Sequence, residues 1–173
     1  MFRYEIIWDK KLTTGFLDAN RKPMRRHENI CVFYYKQPIY HPQKTPGKPY
    51  KKGKKALTDC YGKYEQLAGE NPTGDRYPTS ILEISNANRR KNGHPTEKPL
   101  ELLEYLVKTY TNEGDLILDN CLGSGTTALA AKNLGRNFIG IELEEKYCRV
   151  AAKRVGLEFY IRDGQKILLE EPQ

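Results

Sequence analysis

The chain has 173 residues, 38% of them hydrophobic and 29% charged, with a net charge of +7. That is enough for one domain with a real core, and no apolar run approaches a membrane span or forms a leader after Met1, so a soluble, cytoplasmic protein is expected. Cys31, Cys60, Cys121 and Cys148 are scattered without a C-x-x-C pair, which argues against a zinc site or a disulfide framework.

In chain order, Tyr4 to Trp8 is β-branched and aromatic and predicts a strand. A loop from Asp9 to Glu28 follows, with Thr13-Thr14-Gly15-Phe16 and the basic cluster Arg21, Lys22, Arg25 and Arg26. Asn29 to Tyr35 predicts a second strand, which could lie antiparallel to the first. From Lys36 the composition shifts. Residues 36 to 63 hold eight lysines against one acid, Asp59, so this segment alone supplies the whole net charge. Pro38, Pro42, Pro46 and Pro49 forbid a long helix, and Tyr40, Tyr50, Tyr61 and Tyr64 interleave with the lysines. Lysine for phosphate and ring faces for sugars or unstacked bases suit a nucleic-acid surface. Lys44, Lys48, Lys51, Lys52, Lys54 and Lys55 are the candidate contacts; the alternative is a solvated lysine loop. Residues 36 to 93 thus read as an inserted recognition region, with Ile81 to Ile84 a short strand inside it.

His94-Pro95-Thr96-Glu97-Lys98-Pro99 opens a helix with Pro99 at its first position and Leu102, Leu103, Leu106, Val107 and Tyr110 on one apolar face. Leu116 to Leu118 predicts a strand buried on both faces, ended by Asp119. A glycine turn runs from Asn120 to Gly125, then a helix from Thr126 to Leu134, then a strand from Phe138 to Ile141 closed by Glu142. A last helix with Glu144 and Glu145 in its first turn places Leu143, Tyr147, Val150, Ala151 and Val155 inward, and Leu157 to Ile161 is a final strand. Strand, glycine turn, helix and strand make a right-handed crossover whose ligand edge is shared by the turn and the second strand's end.

Gly123-Ser124-Gly125-Thr126-Thr127-Ala128 satisfies G-x-G-x-x-A, so a nicotinamide dinucleotide is a competitor. Asp119 weighs against it. A carboxylate beside the turn would repel a pyrophosphate and would suit a phosphate-free cationic ligand such as S-adenosylmethionine, with its ammonium and sulfonium. Glu142 could hold ribose hydroxyls in either case. A crossover with no ligand is the third reading.

Taken together, His94 to Pro99, Asp119-Asn120-Cys121-Leu122-Gly123-Ser124-Gly125-Thr126-Thr127 and Gly140-Ile141-Glu142 resemble the cofactor half of the S-adenosylmethionine-dependent amino-methyltransferases of DNA, which methylate adenine N6 or cytosine N4. Their permuted, β-type order matches, and Glu5 to Lys10 with Arg26 to Phe33 resembles late strands of the catalytic half, particularly in phage-type members. The resemblance implies an α/β fold: a partial Rossmann-like methyltransferase sheet with late strands at 1–35, a basic target-recognition insert at 36–93 and a cofactor-binding half at 94–173. It implies that Glu142 binds the adenosine ribose, that Asp119, Gly123, Gly125 and Thr126 shape the pocket for the methionine part, and that Thr96 and Lys98 close its other side. Double-stranded DNA is the implied partner.

The family's chemistry needs an Asp/Asn/Ser-Pro-Pro-aromatic element that aligns the exocyclic amine and stacks on the flipped base. The ten prolines here include no adjacent pair, and Asn71-Pro72-Thr73-Gly74 lacks both the second proline and the ring. No catalytic residue is therefore assigned in this chain. In the permuted order the missing element belongs before Met1, so the expectation is a C-terminal portion that is inactive alone and depends on a separate chain or a second copy. Adenine is the commoner target in the family. A DNA-binding module that keeps the fold without catalysis remains an alternative.

Overall fold

The computed structural model describes residues 1–53, 69–86, 94–162 and 165–169. The chain divides into two compact units, Met1–His41 with Ser80–Gln173, and Pro42–Thr79. The second is narrower than the insert expected at 36–93.

In the larger unit, β1 (Phe2–Thr14) pairs antiparallel with β2 (Arg25–Phe33), Ile6 opposite Ile30 and Trp8 opposite Glu28. Both strands extend beyond their expected spans at the hairpin end. The register slips between Asp9 and Thr14, where Lys11 takes φ +53° and its N–H donates to Asp9 Oδ1 at 2.9 Å. The third strand, β5 (Ile81–Glu83), runs parallel to β1 with Trp8 opposite Leu82, giving the order β2-β1-β5. β5 is thus part of this sheet and not of a surface insert. Ile6, Trp8, Leu82 and Ile84 share a core with Leu102 of α1 (Leu100–Tyr110). Trp8 is 1% exposed, and its indole N–H donates to the Ile84 carbonyl at 2.8 Å, so the one polar atom of the largest core side chain is satisfied. Pro99 caps α1 with extended backbone, one position before its expected place.

The crossover forms as read. β6 (Leu116–Asp119) leads through the glycine turn into α2 (Thr126–Asn133), then β7 (Asn137–Gly140), which pairs parallel with β6, Leu118 opposite Ile139. α3 (Glu145–Val155) follows, and Leu122, Ala128, Ala151 and Val155 form the local core with Phe138 against it. Burial of the strands on both faces is corrected. Leu116, Leu118, Ile139 and Ile141 point to one side of the β6–β7 pair and are each at least half exposed, because α2 and α3 cover only the other side. Leu143, expected inward, is also exposed; Cys148 and Ala152 are buried in its stead. β8 (Glu158–Arg162) is followed by a strand not anticipated, β9 (Gln165–Leu169), with which it pairs antiparallel.

The smaller unit holds an antiparallel pair, β3 (Tyr50–Lys52) with β4 (Gly69–Asn71), and a bridge between Thr45 and Arg76.

Candidate functional site

The site is built at the end of β6. Gly123 and Gly125 take φ +57° and +82°, a region costly to other residues. At Gly125 there is a second constraint: an added Cβ would lie 2.6 Å from Ala151 Cβ, so the start of α2 touches α3. Turning the chain this tightly brings both strand-end acids to one place. Asp119 accepts the Cys121 N–H through Oδ1 at 3.0 Å and the Thr127 hydroxyl through Oδ2 at 2.6 Å. Glu142 accepts the Gly123 N–H through Oε2 at 2.7 Å and the Glu144 N–H through Oε1 at 2.8 Å. Burial raises the Glu142 pKa, but the backbone N–H groups of Glu144, Gly123 and Leu143 outweigh it and hold the carboxyl below the ordinary glutamate range.

Beside these acids lies a cleft of about 180 Å³ whose lining includes Thr96, Lys98, Asp119, Gly123 and Thr126. Five of the seven residues expected around a methyl donor are thereby gathered in one hollow. Glu142 joins it through Gly123, and Gly125 sits behind the turn against α3. His94, the first residue of the helix-entry element, also lines the cleft. Its ring lies 4.2 Å from that of Tyr147, and its Nδ1 lies 3.3 Å from both the N–H and hydroxyl of Thr96.

Lys98 faces two ways. It lines the cleft, yet its ammonium donates to Glu28 Oε2 at 2.9 Å and stands 5.7 Å from the centre of the Trp8 ring. Lys10 holds the other Glu28 oxygen at 3.3 Å. Burial raises the Glu28 pKa, but Lys98 and Lys10 more than offset it, so the carboxyl stays below the ordinary range. This trio borders a second, smaller hollow of about 100 Å³ that shares Thr96 and Lys98 with the first.

Arg154 stands in the last turn of α3, where the helix dipole favours a cation. In the structure its Nη1 reaches Glu97 Oε1 at 3.0 Å, the Ser124 carbonyl at 2.9 Å and the hydroxyls of Ser124 and Thr126 at 3.2 Å each. One nearly buried guanidinium thus ties α3, the glycine turn and the 94–99 element together. The sequence clue was Glu97, an acid in a helix-entry element whose burial demands a cation.

In the smaller unit Lys44, Lys48, Lys51 and Lys52 are all exposed. Lys44 lies over Tyr77 at 4.8 Å, Lys52 and Arg76 lie over Tyr50 at 5.7 and 4.5 Å, and Lys51 pairs with Glu70 at 2.9 Å. Lys54 and Lys55 lie outside the described residues.

A parallel strand pair joined by a helix, with a glycine turn and two acids at one edge, is a Rossmann-like α/β crossover. Comparison with known proteins specifies it. Residues 1–153 match the N6/N4 DNA methylase family, and the chain belongs to that family. It is 34% identical over 156 residues to the type II methyltransferase M.BglII of Bacillus subtilis, covering 86% of this chain and 41% of that protein. It is 36% identical over 130 residues to M.HindIII of Haemophilus influenzae, covering 70% and 42%. Among solved structures, the M1.HpyAVI–SAM complex superposes with a TM-score of 0.59 at 28% identity, over 91% of this chain and 63% of that one. The chain therefore spans about two fifths of the length of these two type II relatives.

Proposed function

We propose that this chain provides the methyl-donor site and part of the DNA-binding surface of an S-adenosylmethionine-dependent DNA amino-methyltransferase acting in the cytoplasm. The observation that carries the reading is the pair of carboxylates, Asp119 and Glu142, at one glycine turn. Two acids favour a ligand with ammonium, sulfonium and ribose hydroxyls over one with a pyrophosphate. The donor set fits that cofactor: Glu142 would hold the ribose hydroxyls, Asp119 the ammonium, Lys98 the carboxylate, and Thr96, Gly123, Gly125 and Thr126 the walls. When bound, the cofactor supplies an electrophilic methyl group. What the chain contributes is fixed charge and shape, since backbone N–H groups keep Glu142 ionised and aimed.

Double-stranded DNA is the proposed acceptor, adenine N6 ahead of cytosine N4, reached through Lys44, Lys48, Lys51, Lys52 and the neighbouring Lys54 and Lys55. With no Pro-Pro-aromatic string in these 173 residues, the element that aligns the amine is supplied from elsewhere, by further chain or by a separate polypeptide that carries it. The test is calorimetry with S-adenosylmethionine and with NAD, together with labelled-methyl incorporation into DNA. Binding of the first ligand alone, its loss in Asp119→Ala and Glu142→Ala, and no incorporation by this chain by itself are expected. Preferential NAD binding would replace the reading by a dinucleotide site. Duplex binding with neither cofactor would replace it by a non-catalytic DNA-binding module.

A further inference from the structure

The hairpin joining β1 to β2 ends in a feature that the donor site does not use. Gly15, at φ +92°, starts a short 3-10 turn, Phe16–Asp18. The Asp18 N–H bonds the Gly15 carbonyl at 3.1 Å, and the N–H groups of Arg21 and Lys22 bond the Asp18 carbonyl at 2.8 and 3.1 Å. This closed network presents two large apolar side chains outward: Phe16 is 81% exposed and Leu17 98%. Around them the chain is basic, with six lysines and arginines against two acids between residues 10 and 28. Lys11, Lys22 and Arg26 are matched by Glu83, Asp18 and Asp9. Among the described residues no acid pairs with Arg21 or Arg25, and both are exposed.

We infer that the Gly15–Lys22 tip is a second DNA contact, in which Phe16 and Leu17 form an apolar wedge entering between base steps while Arg21 and Arg25 grip the adjacent phosphates. An apolar wedge rimmed by arginines is how proteins unstack and bend a duplex, and the free cations favour a polyanion over a neutral apolar partner. The inference rests on the DNA reading above but names a surface distinct from the lysine-rich unit.

The test is fluorescence anisotropy of the full 173-residue chain on a mixed-sequence duplex across salt concentrations. Phe16→Ala/Leu17→Ser is expected to weaken binding about tenfold with an unchanged salt slope, since it removes contact and no charge. Arg21→Ala/Arg25→Ala should weaken binding and reduce the slope by about two. Both variants should keep wild-type affinity for S-adenosylmethionine, which reports an intact fold. Wild-type duplex affinity in both variants would overturn the inference and leave the donor-site reading standing. So would a change confined to anionic vesicle binding, or a loss of self-association at unchanged duplex affinity. Failure of the unaltered chain to bind duplex would sink the DNA reading and the wedge together, whereas S-adenosylmethionine binding would still report the donor site.

Discussion

Arg154 shows how one side chain can matter more than its surroundings in the sequence suggest. Its partner Glu97 is buried, and a buried carboxylate stripped of its cation keeps its desolvation cost without the compensating attraction. Arg154→Ala should therefore destabilise the chain by about 3–5 kcal/mol in denaturant unfolding. Arg154→Met with Glu97→Leu removes both charges and should cost much less, which separates an electrostatic tie from simple packing. At Glu142 the argument concerns pH. A carboxyl whose folded-state pKa is depressed adds stability above its unfolded value, and that stability is lost as pH falls through the folded value. Glu142→Gln, whose amide cannot accept at both positions, should cost about 1–3 kcal/mol near neutrality. The gap between it and the wild type should close as pH drops below the ordinary glutamate range. A gap that stays constant down to strong acid would show that the carboxylate charge is not what the turn needs. Asp119 and Glu142 were legible from the sequence because strand ends beside a glycine turn have few uses. Glu28 and Lys10 were not, since their pairing beside Lys98 comes from two strands and a loop brought together only by folding.

At the scale of elements, the crossover was readable because each part carries its own local signal: an apolar run, a glycine turn, an alanine-rich helix and a capping glycine. The two glycines that bracket α2 put a number on how differently such signals act. Gly125 and Gly135 both have positive φ, but a Cβ at Gly125 meets Ala151 at 2.6 Å, while at Gly135 the nearest atom is 4.0 Å away on the flexible Glu113 side chain. Gly135→Ala should cost about 1–2 kcal/mol, from backbone strain alone. Gly125→Ala adds a clash with a neighbouring helix and should cost clearly more, with a parallel loss of S-adenosylmethionine affinity, as thermal unfolding and calorimetry would record. Equal costs at the two positions would mean that α3 gives way and that its contact does not define the turn. The hairpin was less legible: its strands run past the polar residues at which the pattern stops, because Lys10 is buried by pairing with Glu28 rather than by being apolar. β5 was placed in the wrong region for a related reason. Three residues carry little periodicity, and only pairing with β1 reveals that Leu82 and Ile84 belong to the core.

For the whole molecule, the telling departure from the sequence reading is the bare side of the β6–β7 pair. Continuous apolar strands ordinarily signal a sheet covered on both faces, and the residues here have that character without the cover. Leu116 and Leu118 are 62% and 65% exposed, and Ile139 and Ile141 are 50% and 54% exposed, all on one side of a two-stranded pair. Contiguous exposure of this kind favours association, either through the apolar face or through the strand edges, which no other described strand pairs. The two routes respond differently to mutation. Leu118→Lys with Ile139→Glu, an opposite-charge pair at one register position, charges the face and leaves the backbone edges as they are. If the face drives association, sedimentation velocity should show the wild type growing in mass with concentration and the double variant staying monomeric. Unfolding free energy should change by no more than about 0.5 kcal/mol, because neither side chain is removed from a packed environment. If instead the double variant associates like the wild type, the strand edges are responsible, and a proline at an exposed edge position of β6 becomes the informative change. The face also bears on the proposed chemistry. Addition of a polypeptide carrying the Pro-Pro-aromatic element should protect these four residues from solvent and restore methyl transfer together. Restoration without protection would place the acceptor half elsewhere on the molecule.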